Sequence, residues 1–507
     1  MPKTNLKKLY KQLDWTSILI PLLGVLTLSI IFIIHPQGSK NTLETIRQFL
    51  TDTTGIYYAL LGLGIFIFSL YIAFSKYGKI KLGEGKQEYT NFQWGIMIFT
   101  STMAADIIFY SLCEWALYSN ETFIKQQGNI QKWASTYPLF HWGPIAWSFY
   151  IILAVAFGFM LHVKCRKKQK FSEACRPILG KYTDTAIGKL IDLIAIFSLL
   201  AGTATTFSLA TPLLSNAISS ISGIKANTTL TISILAIIAI IYTLTIMFGM
   251  RGISKLAKLC VALFGILLLY FLILGGETKY ILETGFSSLG NLTQNFISMA
   301  TWLDPLRETS FPQNWTIYYW AYWMVWCVAT PFFIGKISKG RKIKNIILNG
   351  YAWGLAGTFT SFIILGNYGL AQELKHGINI SKYISKTGNQ SDAILKIFST
   401  LPMSQIAIIL LVITMILFYA TTFDALTMVI SSYSYKTLTV EIEPAKIVRI
   451  FWSIMFIIFP IALIFSENSM RNLQSVAIIM AFPIGFIMIL IIASFMKEAK
   501  SIVTSTE

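Results

Sequence analysis

Residues 314–341 read NWTIYYWAYWMVWCVATPFFIGKISKGR. No charge interrupts the run from Trp315 to Gly335, which matches the roughly 20 residues a helix needs to cross about 30 Å of hydrocarbon. At 100° per residue, Tyr319, Tyr322, Trp323 and Trp326 follow i, i+3, i+4, i+7 spacing and share one stripe of that helix. Trp326 comes about eleven residues into the span, roughly 16 Å deep at about 1.5 Å per residue, beyond the reach of an interfacial aromatic belt. The stripe therefore reads as a wall, either for helix packing or for a bound molecule. A wall of π faces suits a cation that cannot donate hydrogen bonds, such as trimethylammonium, because the ring quadrupole attracts charge without needing a proton.

The same reading extends outward along the chain. Of 507 residues, 55% are hydrophobic and 13% charged, against about 25% charged in soluble domains; the mean hydropathy is +0.63. Apolar stretches of spanning length recur at 15–34, 56–74, 94–118, 139–162, 189–213, 229–249, 256–275, 315–335, 346–366, 404–433, 446–466 and 474–496. This predicts an all-α integral membrane protein of about twelve transmembrane helices. When the first turns of the spans are counted with the loops, 29 of the 41 Lys and Arg fall on the side of the amino terminus and 12 on the other. Basic residues accumulate on the cytoplasmic side, so both termini are expected there, in a multi-pass protein of the plasma (inner) membrane. The net charge of +18 is then a matter of topology and anionic lipid headgroups. The run KCRKKQK at 164–170 reads as a cytoplasmic loop, and no nucleic-acid partner is expected. The first span is too long for a signal-peptide core and is expected to be retained. In the external segment 276–314, NLTQNFISM at 291–299 reads either as a surface helix or as an ordinary loop.

Carboxylates in hydrocarbon are costly, and four fall within the proposed spans. Asp192 lies within a turn of the cytoplasmic end, where interfacial solvation suffices. Glu114 lies near the external end and reads as structural: reaching water, capping a backbone or pairing. Asp106 and Asp424 lie deeper, where a functional reading is at least as good as a structural one. A second aromatic segment, HWGPIAWSFY at 141–150, adds Trp142, Trp147 and Tyr150. The four histidines, His35, His141, His162 and His376, are scattered, and only His141 adjoins an aromatic segment. The five cysteines show neither disulfide nor zinc spacing. With the histidines scattered, no set of nucleophile, acid–base or metal-ligand residues appears, so no enzyme is expected, and without a glycine-rich phosphate loop with lysine no ATP-driven pump is expected. A transporter, a channel or a choline sensor without transport remain as readings of the residues alone.

The run at 314–341 with its basic turn KISKGR, YPLFHWGPIAWSFYIILAVAF at 137–157, LATPLLS at 209–215 and the stretch from Trp94 to Glu114 resemble the betaine/choline/carnitine transporter (BCCT) family, carnitine-type members above all. The resemblance implies a LeuT-like fold. An N-terminal tail and two extra helices (1–93) precede a first five-helix repeat (94–275), an external loop (276–314), an inverted second repeat (315–496) and a C-terminal tail (497–507). It implies a substrate site between the repeats formed by Trp142, Trp147, Tyr150, Trp320, Tyr322, Trp323 and Trp326, with Met103 and Asp106 from the third helix. Tyr322 stands where the family pattern has Trp, and Thr102 to Asp106 (TMAAD) stands where betaine carriers have a glycine-rich stretch.

Coupling has two readings. FYATTFDAL at 418–426 resembles the family's sodium-type pattern, which implies Phe418, Thr421 and Thr422 as Na⁺ contacts facing Thr100 and Met103. Sodium-independent exchangers of the family carry methionine and arginine at positions matching Thr330 and Ser254, so an ion-coupled carrier is expected over a carnitine/γ-butyrobetaine exchanger. Asp106, however, falls where proton-coupled choline carriers of the family have aspartate, so H⁺ stands beside Na⁺ as coupling ion. No cofactor is expected. The resemblance also implies a homotrimer in the lipid bilayer.

Overall fold

The computed structural model describes residues 6–101, 105–248, 250–439, 442–465 and 470–506. The side chains of Thr100, Asp424 and Ser254, and all of Met103, lie outside the described residues. The described chain is helical throughout, with two isolated bridges, Leu13 to Tyr435 and Lys81 to Lys342, and no strand.

The principal helices are α1 (Trp15–Ile34), α2 (Pro36–Gln48), α3 (Gly55–Phe74), α4 (Asn91–Ser101), α5 (Ala105–Asn120), α6 (Ile130–His141), α7 (Pro144–His162), α8 (Ala186–Ser222), α9 (Thr228–Phe248), α10 (Met250–Leu269), α11 (Thr278–Thr301), α12 (Ile317–Trp326), α13 (Thr330–Lys336), α14 (Ile343–Ser361), α15 (Ser404–Tyr433), α16 (Lys446–Phe465) and α17 (Met470–Thr506). Among the described residues, 7 helices are long and apolar enough to cross a membrane, and 9 if each of two bent pairs is one span. The described residues of the other expected spans are also helical: α4 and α5 on either side of 102–104, α9, and α14 with its continuation Phe362–Gly366. The protein is thus an all-helical, multi-span membrane protein.

Burial separates core from periphery. The stretch Ile130–His162 is 94% buried over its most apolar window, whereas Trp15–Ile34 is 33% buried. A helix that is apolar on every side and mostly exposed faces lipid, so α1 is peripheral and α7 central. The segment expected as a loop or short surface helix is the 24-residue α11. It is bent by 109° from Lys258–Leu274, so it runs across the preceding span.

Two breaks shape the centre. Between α6 and α7, Gly143 and Pro144 interrupt the helix; a Cβ on Gly143 would lie 3.0 Å from the Phe140 carbonyl oxygen, and Pro144 restarts the helix where no N–H is needed. Between α12 and α13 the axis bends by 49°, with Pro331 in the first turn after the break. Glycines then let helices approach closely. A Cβ on Gly335 of α13 would lie 2.7 Å from the Gly158 nitrogen and 2.8 Å from the Ala154 oxygen of α7, so these backbones pack directly.

The basic turn after α13 has a defined place. Arg341 is buried, its guanidinium 4.7 Å from the Trp94 ring centroid. It donates to Asn91 Oδ1 at 2.6 Å and to the Tyr89 and Thr90 carbonyls at 2.7 and 3.1 Å. Trp94 donates to Ser338 Oγ at 3.0 Å. The turn thereby ties the end of α13 to the start of α4.

Candidate functional site

The aromatic stripe of α12 meets α5, α6 and α7 in the buried centre. Trp323 is the hub: its ring centroid lies 5.7 Å from Trp142, 5.5 Å from Trp147 and 4.7 Å from Tyr150. Trp142 also lies 5.8 Å from Tyr319, 6.4 Å from Tyr322 and 5.1 Å from Phe362. These separations are those of rings in direct contact. The corner is therefore made by the α6–α7 break, which turns Trp142 toward α12, and by the first turns of α7.

Not every expected aromatic joins it. Trp320 is one residue, about 100°, off the stripe and faces α3, where a Cβ on Gly62 would lie 3.3 Å from its ring. Its nearest ring is Phe140, at 6.0 Å. Trp326 lies against α8, 3.2 Å from where a Gly202 Cβ would be. Trp147 divides its surface between the corner and Gly354 of α14, whose Cβ would lie 2.6 Å from the indole. Among the described residues, the indole N–H groups of Trp147, Trp320, Trp323 and Trp326 are buried without a hydrogen-bond partner. An orphaned buried donor costs about 1–3 kcal/mol.

Opposite the α12 stripe stands a second one that sequence reading did not assemble: Asp106, Tyr110, Glu114 and Tyr118 recur every four residues along α5. At one end the carboxylate of Asp106 accepts from the Tyr322 hydroxyl, which also lies 2.5 Å from Thr206 Oγ1 of α8. Asp106 is buried and takes the Ile107 N–H at 3.0 Å. In the middle, Tyr110 contacts Trp142 at 5.6 Å and Tyr319 at 5.4 Å, and its hydroxyl lies 2.6 Å from that of Tyr318. At the other end the fully buried Glu114 accepts from Trp142 Nε1 at 2.8 Å and from the Tyr118 hydroxyl at 2.5 Å. Tyr118 also lies 2.6 Å from His141 Nδ1, and His141 Nε2 lies 3.0 Å from Thr316 Oγ1. Of the readings open for Glu114, pairing is the one observed; neither it nor His141 reaches the surface.

Asp192 is likewise buried rather than solvated, held by the Ser172 N–H at 3.0 Å and the Ser172 hydroxyl at 2.9 Å. On α15, Phe418 is buried edge-on to Phe264 of α10 at 5.3 Å, and the Thr421 hydroxyl donates to its own helix at the Leu417 and Phe418 carbonyls, at 3.0 and 3.1 Å. Thr422 is half-buried. Thr100 and Met103, which would face them, are outside the described residues, side chain and whole residue respectively.

Many-span helical architecture, helices broken at the centre and an aromatic corner backed by buried acids define a membrane transport protein. The family description "BCCT, betaine/carnitine/choline family transporter" matches residues 17–503. The chain is 27% identical over 493 residues to a carnitine transporter of Acinetobacter baumannii, covering 96% of this chain and 88% of that one. It is 29% identical over 482 residues to the glycine betaine transporter OpuD of Bacillus subtilis, covering 92% and 90%. It is 30% identical over 482 residues to a probable glycine betaine transporter of Desulfitobacterium hafniense, covering 92% and 93%. The chain belongs to the betaine/carnitine/choline transporter family.

Proposed function

We propose that this protein is a secondary active transporter of quaternary-ammonium compounds in the plasma membrane, that its two five-helix repeats rock about the α5–α12 contact, and that its preferred substrate is a net cation of the choline kind. The observation that carries the substrate preference is the contact between Asp106 and Tyr322. Both positions depart from the family pattern, Asp106 within the stretch Thr102 to Asp106, and they are bonded to each other. Trp323, Trp142 and Tyr150 supply the π faces for the trimethylammonium group, and Asp106 supplies the counter-charge behind them. A buried cation beside an ionised carboxylate is compensated, whereas a betaine or carnitine carboxylate would set a second negative charge against the first.

The Asp106–Tyr322–Thr206 chain also supports H⁺ as the coupling ion. With Asp106 ionised, Tyr322 donates to it and Thr206 can donate to Tyr322. With Asp106 protonated, the same chain can run the other way, so either protonation state finds a partner. Coupling to Na⁺ through Phe418, Thr421 and Thr422, with Thr100 and Met103, is the second route. The orphaned indole N–H groups of Trp323 and Trp326 favour a second substrate reading, because such donors suit a substrate carboxylate and two relatives carry glycine betaine or carnitine by name. Uptake of radiolabelled choline, betaine and carnitine into proteoliposomes under imposed Na⁺ or H⁺ gradients separates these readings. Choline uptake driven by a proton gradient supports the first. Betaine or carnitine uptake driven by sodium, with choline excluded, overturns it, and binding without accumulation under any gradient would leave a choline sensor.

A further inference from the structure

A cavity of about 460 Å³ lies between α1–α2 on one side and α8, α16 and α17 on the other. Its shape follows from two contacts. A Cβ on Gly24 would lie 2.7 Å from Phe197 Cζ, so α1 touches α8 there and diverges from it beyond. Phe32 stacks on Phe459 at 5.9 Å and closes one flank. Val25, Leu200, Ala201, Val476 and Ile479 line the wedge so formed, and α2 covers its end with Gly38, Ser39 and Leu43.

The wall presents carbon. Its hydroxyls are already used within α2: Ser39 Oγ donates to the His35 carbonyl at 2.8 Å and Thr42 Oγ1 to the Gly38 carbonyl at 2.9 Å. A polar or charged ligand would be stripped of water with little to replace it, and water itself does not fill apolar cavities. The lining residues Leu28, Ile31 and Ile46 are 38%, 43% and 39% exposed, so the cavity opens sideways onto the apolar face of α1. That face is the lipid contact of a membrane-spanning helix, and the opening is continuous with it. An engineered cavity of about 150 Å³ accommodates the six carbons of benzene, so this one has room for about eighteen.

We propose that the cavity is a lipid-tail site holding one acyl chain of a bilayer phospholipid, with the headgroup at the α1–α2 elbow beside His35. The site has a route to transport. Phe197, Leu200 and Ala201 precede Gly202 and Thr206 on α8, which contact Trp326 and Tyr322. An acyl chain therefore braces the helix behind the aromatic corner. The inference rests on the membrane-spanning fold and is independent of which substrate is carried.

The test uses the purified full-length protein in detergent, with 1-palmitoyl-2-oleoyl phosphatidylglycerol as probe and Ala201→Phe and Leu28→Trp as variants that fill the wedge and its mouth. Native mass spectrometry should show one phospholipid more per chain on the wild type than on either variant. Added phospholipid should raise the melting temperature of the wild type and leave that of the variants unchanged, and glycerol phosphate alone should shift neither. Equal lipid retention by wild type and variants overturns the proposal. So does a shift produced by glycerol phosphate alone, or a loss of self-association in the variants, which would make a second copy the occupant. Should Ala201→Phe fail to fold, Leu28→Trp, at the exposed edge, decides.

Discussion

Two positions on α5 carry the same device in different surroundings. Asp106 and Glu114, eight residues or about 12 Å apart, are both buried carboxylates, and each grips one member of the aromatic corner: Asp106 the hydroxyl of Tyr322, Glu114 the indole N–H of Trp142. The surroundings differ. Glu114 sits in a closed polar cluster with Tyr118 and His141, whereas Asp106 lies beside the hydroxyl chain that runs through Tyr322 to Thr206 of α8. A carboxylate enclosed by fixed donors is a positioning group. One on a reversible hydroxyl chain is able to exchange a proton or answer a substrate's charge.

That contrast breaks first at Glu114. Glu114→Leu leaves the Trp142 N–H without its acceptor, at about 1–3 kcal/mol, and leaves the Tyr118 O–H only His141 Nδ1 to turn to. The melting temperature should fall by the largest margin of any variant here, and substrate affinity should fall with it. Glu114→Gln keeps an acceptor and should restore most of both, with the pH profile of transport unchanged. A proton-coupling role for Glu114 would instead show as a lost pH dependence in the Gln variant.

Tyr322→Phe keeps the ring and removes the hydroxyl between Asp106 and Thr206, costing about 1.5–3 kcal/mol for a bond to a charged group. Transport should lose its response to a proton gradient, while a wild-type response would separate Tyr322 from coupling. Trp323→Leu should weaken substrate binding by about 1–2 kcal/mol, roughly ten-fold. Trp320→Leu should cost stability against Gly62 and leave affinity unchanged, and equal affinity losses in the two would erase the distinction between stripe and flank. The smallest effects are expected at α15. Thr421→Val and Thr422→Val should abolish sodium stimulation if Na⁺ couples transport; transport that ignores sodium in the wild type makes both threonines packing residues, as the back-bonds of Thr421 to its own helix would suit.

The spans and the Tyr319–Tyr322–Trp323–Trp326 stripe were legible in the sequence because apolar length and helical period are local properties. Trp320, which the resemblance places at the site, faces α3; a family pattern records which residue types recur and not which face they take, and its 100° offset from Tyr319 was the available signal. The α5 stripe was missed for a different reason. Asp106 and Glu114 were weighed singly by depth, while the four-residue spacing that joins them through Tyr110 was in plain view. Thr206 had no signal in sequence at all, since a threonine in a long helix is ordinarily satisfied by its own backbone. The segment of α11 read as either a surface helix or a loop, and its polar residues hid a length of 24 residues when the test was membrane spanning.

The central claim is that Asp106 sets the charge of the substrate. Its most direct test is the ratio of choline to betaine uptake, and its dependence on external pH, for wild type and Asp106→Gly in the same proteoliposomes. Asp106→Gly should lower choline uptake, shift the ratio toward betaine and flatten the pH profile. A variant that keeps both the ratio and the profile of the wild type would contradict the claim and leave a zwitterion carrier, held by the indole N–H groups, in its place.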